Sequence, residues 1–180
     1  MHPPAHRPPA RHRSGAAVLE PSLVEHLESD GTLLVGTVDA DGIPEAAYAW
    51  ALAVLDPGDS AGPPVVRFLV PERATRTRAN LATTGRIAAT VTDVETLVSA
   101  QLKGRVRGVE PSTPADGRAC RRRFDAVMAN IHEVEGTAID VLERFRPGPV
   151  VAVTMAVEEV YDQTPGPVAG SRLAPTVETP

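Results

Sequence analysis

Gln101, Lys103, Arg105 and Arg107 recur at every second position of the segment Val94 to Arg107, and that spacing is the chain's clearest opening for chemistry. Strand alternation puts the four on one face and Leu102, Gly104, Val106 and Gly108 on the other. A carboxamide beside cations suits an anion that also carries a ring with an amide-like edge. The competing reading is the solvated outer face of an antiparallel sheet.

Such a strand needs neighbours that hold it, and the sequence supplies them. Glu20-Pro21-Ser22 before Leu23, Val24 and Leu27 predicts a short helix that ends at Asp30-Gly31. Leu33 to Val38 reads as a strand. Asp39-Ala40-Asp41-Gly42 is a turn sequence leading into a second strand over Glu45 to Leu55, where Tyr48, Trp50 and Leu52 alternate with Ala47, Ala49 and Ala51 as a bulky and a small face. Val65 to Val70 makes a third strand, and Glu72 to Thr83 an arginine-rich helix with Gly85 just past its end. Arg86 to Thr92 and Ala100 to Val109 follow as the fourth and fifth strands. Thr113-Pro114 opens a helix to about Val134, a second helical piece spans Ala138 to Phe145, and Val150 to Val160 returns to the sheet. Strands at hairpin spacing, interrupted by helices rather than alternating with them, predict an antiparallel barrel or sheet. No glycine-rich nucleotide fingerprint opens a helix after the first strand.

The chain's 180 residues suit a single domain, expected over residues 18–173 between a disordered Pro/His/Arg-rich arm (1–17) and a disordered tail (174–180). With aromatic residues at only 3%, the core must be built mainly of Val, Leu, Ala and Ile. A formal charge of −5 argues against a general nucleic-acid binder, so any anion site must be local. The lone Cys120 excludes an intrachain disulfide framework and any multi-cysteine zinc site, and it reads as a buried small side chain on a helix. His26, His132 and Glu133 form no metal-binding spacing, so no metal site is expected. No run approaches the roughly 18 apolar residues of a membrane span, and the arm lacks a signal-peptide core, so the expectation is a cytoplasmic protein without membrane or nucleic-acid partners.

Leu34-Val35-Gly36-Thr37-Val38-Asp39-Ala40-Asp41-Gly42-Ile43-Pro44, Thr75-Arg76-Thr77-Arg78-Ala79-Asn80-Leu81 and Gln101-Leu102-Lys103-Gly104, in that order, resemble the pyridoxamine 5′-phosphate oxidase-like family of FMN-binding split barrels, from about Leu19 to Leu173. The resemblance implies a mainly β fold with α, a six-stranded antiparallel split barrel with flanking helices, paired as a homodimer with FMN in a groove at the interface. It implies an FMN-dependent oxidoreductase acting on an unidentified small molecule. By the same resemblance Thr75, Arg76 and Arg78 are the phosphate-side candidates, Gln101 reads the polar edge of the flavin ring, and Lys103 lies near ring or phosphate, while Arg105 and Arg107, farther along the strand, are read as solvated charges. The strands around Tyr48 to Ala51 and Phe68 to Val70 would supply backbone and walls. A deazaflavin-dependent reductase and a non-catalytic flavin- or haem-binding module remain the alternatives, the haem reading requiring His26 or His132 as axial ligand. The chain departs from the true oxidases at its C-terminal end, where Thr164 to Arg172 replaces a Trp- and Arg-containing segment, so the vitamin substrate is not expected and Arg172 is a lesser contact candidate.

Overall fold

A computed structural model describes residues 18–59 and 62–173, so the arm and the tail lie outside the described residues. Six strands, β1 (Thr32–Val38), β2 (Pro44–Asp56), β3 (Val65–Pro71), β4 (Arg86–Thr92), β5 (Ser99–Pro111) and β6 (Val150–Asp162), close into an antiparallel barrel in the order β1-β2-β3-β6-β5-β4. This is the six-stranded barrel with flanking helices that the sequence implies. The helices are α1 (Pro21–Leu27), α2 (Thr75–Thr83), α3 (Pro114–Glu135) and the short α4 (Ile139–Leu142), which runs on into a 3-10 turn at Glu143–Phe145.

Period-two patterning fills the barrel. Val35, Val66, Phe68, Val70, Ala89, Leu102, Val153, Met155 and Val157 are all fully buried inside it, and Phe68 is the only aromatic side chain in that cluster. Each such Val, Leu or Met contributes about 1.5–3 kcal/mol on burial, so an aromatic-poor interior is stable by number rather than size. A second core lies outside the barrel wall, where Trp50, Leu69, Val150 and Ala152 meet Cys120, Phe124, Val127 and Met128 of α3 and Leu142 of α4. Burial pushes the Cys120 thiol up to about 11, in keeping with an inert packing role.

Two sequence expectations are corrected by local geometry. Trp50 and Leu52 do not share a face, because β2 carries a bulge between Trp50 and Ala53 against β3, with Ala51 at φ 52. The bulge leaves Trp50 outside under α3 and turns Leu52 into the barrel. The helix expected from Glu72 begins three residues later at Thr75, because the Glu72 N–H donates to the Pro149 carbonyl and the Ala74 N–H closes a turn on Pro71. Elsewhere the boundaries follow the sequence closely. Thr113 and Asp116 form a reciprocal capping box at the start of α3, and Gly85 takes a positive φ of 62 after α2.

Candidate functional site

α3 and α4 cover only part of the barrel wall. The outer side of β2, β1, β4 and β5 carries an open groove of about 750 Å³. Its floor comes from strand register: Ala46 pairs with Gly36, Gly36 with Ala88, and Ala88 with Lys103. Strand alternation turns these four outward, since Val35, Thr37, Ala89 and Leu102 face in. Three successive strands thus present nothing larger than a methyl group, a flat strip about 10 Å across at the usual strand spacing. A Cβ added at Gly36 would meet nothing within 4 Å and would stand up into the groove.

Charge borders the strip. Lys103 ends it, and Arg86 pairs in register with Arg105 two residues along, both lining the groove. Glu45, Glu158 and Glu159 also line it, with Arg105 bridged to Glu158 at 3.8 Å. Lys103 Nζ sits 4.2 Å from the centre of the Tyr161 ring, and the Tyr161 hydroxyl donates to Glu159 at 2.7 Å. That hydrogen bond to a carboxylate holds the Tyr161 pKa above its ordinary value. Arg86 and Lys103 make no ion pair among the described residues, so the free positive charge lies on the β4–β5 side.

One row up the barrel, Thr90 pairs with Gln101 and Gln101 with Tyr161. The Gln101 amide donates to Thr90 Oγ1 at 2.9 Å, and its carbonyl oxygen accepts from Gln163 at 3.4 Å. Those bonds fix which end of the carboxamide faces which neighbour. Leu34, 43% exposed, and Tyr48, 46% exposed, continue this row across β1 and β2. The upper margin of the strip is therefore apolar at one end and amide-bearing at the other.

The sequence-derived residues separate into two groups. Gln101 and Lys103 share the outer face as expected. Arg76 reaches the rim through its ion pair with Glu45 at 3.5 Å. Thr75 is exposed at the first turn of α2 and Arg78 donates to the Glu72 carbonyl, neither of them lining the groove. Val70 is fully buried in the barrel with its backbone in register with Val151, so its side chain is closed to a ligand outside. Arg105, read from the sequence as a solvated charge, is exposed and also lines the open groove beside Arg86; Arg107 is exposed and does not line it. Arg86 was missed, and its only signal, a charge opening a strand, becomes meaningful once the β4–β5 register is known. Arg172 forms an isolated bridge with Tyr161 and lies within reach of the Glu158 carbonyl, on the β6 side of the groove.

Neither histidine serves a cluster: His26 faces the Val91 carbonyl at 3.4 Å and His132 the Thr137 carbonyl at 2.8 Å. Among the described residues no group of His, Cys, Asp and Glu could hold a metal ion, and no helix is long and apolar enough to cross a membrane.

No family model and no curated protein sequence matches the chain. Among solved structures it is similar to a candidate pyridoxamine 5′-phosphate oxidase from Lactobacillus delbrueckii, at 17% identity over 80% of this chain and 93% of that one with a TM-score of 0.49. It is also similar to an F420 reductase, at 18% identity, 76% and 93% coverage and a TM-score of 0.47. The haem storage protein HutZ from Vibrio cholerae aligns at 20% identity, 81% and 94% coverage and a TM-score of 0.44.

Proposed function

We propose that the outer groove holds FMN and that the chain is an FMN-dependent oxidoreductase for a small organic molecule, working as a homodimer. The observation that carries this reading is the strip Ala46-Gly36-Ala88 ending in Lys103, a floor without side chains beyond Cβ, bordered by unpaired cations. A flat tricyclic ring needs such a floor to lie against a sheet. A phosphate of about two negative charges needs cations; Arg86 supplies one, and Arg105 would supply a second by giving up its 3.8 Å bridge to Glu158. Repulsion from Glu158 and Glu159 would keep the phosphate off the β6 margin.

FMN, when bound, supplies hydride or electron transfer. The chain's own residues would bind and tune. Gln101 offers both a donor and an acceptor to the polar edge of a ring, at the cost of its bonds to Thr90 and Gln163. Lys103 would stabilise negative charge that builds up on the ring, and its stem lies against Tyr161. The Tyr161 hydroxyl donates to Glu159 at the margin of the strip, and that bond holds its pKa above the ordinary value. Leu34 is a large apolar side chain left exposed on this wall, which supports its pairing with a second copy.

Titration of the purified full-length chain with FMN, followed by quenching of flavin fluorescence, tests the reading, with parallel titrations using the deazaflavin F420 and haem. Saturable FMN binding is expected, weakened at least tenfold in Gly36→Val, whose side chain would stand in the groove without disturbing the barrel. Uptake of F420 or haem in preference to FMN, or no uptake of any, overturns it.

A further inference from the structure

A second cavity, of about 400 Å³, lies between the outer side of β1 and β2, the β4–β5 turn, and the ends of α3 and α4. Tyr48, Trp50, Leu97, Met128, Ile131 and Phe145 are among the residues that line it. We infer that it is a binding site for a neutral, ring-containing organic molecule, separate from the groove and independent of what the groove holds.

Three observations carry this. The first is the ring cluster. Tyr48 stacks on Trp50 at 6.4 Å with an interplanar angle of 24°, and meets Phe145 edge-on at 5.7 Å. Tyr48 and Phe145 remain 46% and 44% exposed, so part of each residue is left uncovered by protein. Aromatic side chains favour offset or edge-on ring partners, so the occupant such walls select is itself a ring. The volume falls within the usual range for small-molecule pockets.

The second is backbone strain at the mouth. Leu97 adopts φ 60, a left-handed conformation that leucine disfavours, and Asp93 holds the turn by accepting from Glu95, Thr96 and the Leu97 N–H. The outcome is a leucine 51% exposed and presented to the cavity, an arrangement that loses hydrophobic free energy unless something covers it. The third is an orphan donor. Trp50 is 4% exposed, and its indole N–H has no acceptor among the described residues, although buried tryptophans ordinarily find one. An occupant with a hydroxyl or ether oxygen could supply it after a small rotation of the indole.

Charge sets the class. Among the described residues Glu135 is the only side chain in the lining that is charged at neutral pH, and no cation accompanies it there. A carboxylate or phosphate would meet repulsion and an apolar wall, whereas a neutral ring would lose little on entering.

Trp50 is the only tryptophan in the chain, so a 15N-labelled full-length sample gives one indole N–H resonance, which reports directly from the cavity wall. Titration with naphthalene-2-methanol should shift that resonance saturably, and 2-naphthoate should bind at least tenfold more weakly. Ile131→Phe and, at the rim, Thr137→Phe should each weaken the response at least tenfold with the rest of the spectrum preserved; two half-buried positions are used so that one folded variant suffices. No shift up to the solubility of the probe, an equal response to the naphthoate, or a full response in the folded variants overturns the inference. So does a shift that follows protein concentration instead of probe, which would assign the cavity to a second copy of the chain.

Discussion

On the wall of the barrel covered by α3, the basic side chain of β3 is closed off, whereas on the open wall the basic side chains of β4 and β5 border empty space. Arg67 donates both guanidinium ends to Asp116, at 2.6 and 2.9 Å, and the same carboxylate accepts from the Thr113 N–H and hydroxyl at the start of α3. The pair joins strand to helix and completes a capping box. Among the described residues Arg86 and Lys103 have no such partner. Similar residue types at similar strand positions therefore serve different ends, decided by whether a helix is laid over them. A charge that finishes a hydrogen-bond network stabilises the fold, and a charge left beside a flat floor is available to a ligand.

The largest effect should come where the two walls are joined. Gly104 lies on β5 at the shift in register against β6, and a Cβ there would stand 1.9 Å from the Ala156 carbonyl oxygen. Backbone cannot give way cheaply at such a distance, so Gly104→Ala should cost about 4 kcal/mol or more, at the exceptional end for a single substitution. Urea denaturation of the variant measures it, and a loss below about 1 kcal/mol would show that β5 and β6 can slide apart at this point.

Next comes the covered wall itself. Asp116→Asn removes a buried carboxylate from Arg67 and from the helix start, and should cost about 3 kcal/mol at pH 7. The Arg67 guanidinium beside Asp116 holds its carboxyl well below the usual carboxylate range, so the folded state prefers the ionised form. The stabilisation is therefore complete above the unfolded value of about 4 and fades as pH falls through the depressed folded value. Denaturation midpoints of the wild type and Asp116→Asn should accordingly differ most near neutrality and converge in acid below about pH 4. A gap that stays constant with pH would deny the ion pair its role.

Much of this contrast was legible in the sequence, though not evenly. The closed wall announced itself locally: Thr113-Pro114 and Asp116 sit at capping positions whose meaning depends on their own neighbours. Strand ends were readable within a few residues for the same reason, since Gly42, Pro71 and Gly85 mark them by conformational restriction. The flat strip was not readable, because Ala46, Gly36, Ala88 and Lys103 come from four strands and meet only through register. Ala51 at the β2 bulge hid for a related cause: nothing about an alanine among alanines signals a positive φ, and that bulge decides which side Trp50 and Leu52 take. Arg105 is exposed, as its sequence position suggests, but its place on the groove rim beside Arg86 was not readable, because a position along one strand does not reveal which strand lies next to it.

The smallest stability effect, and the sharpest test of the comparison, belongs to Arg86. It is exposed and makes no ion pair among the described residues, so Arg86→Ala should change folding stability by less than about 0.5 kcal/mol, as surface substitutions usually do. The converse substitution on the covered wall, Arg67→Ala, leaves Asp116 buried without its cation and should resemble Asp116→Asn in cost. In FMN titrations the order should reverse. Arg86→Ala should weaken binding about tenfold, equivalent to about 1.4 kcal/mol, while Arg67→Ala, read on the fraction that stays folded, should leave affinity unchanged. The crossing of the two rankings is what separates a wall built for stability from one left for a ligand. Parallel rankings, with both arginines costing stability and neither affecting affinity, would mean that the open wall only lacks a cover, and that what belongs on it is protein.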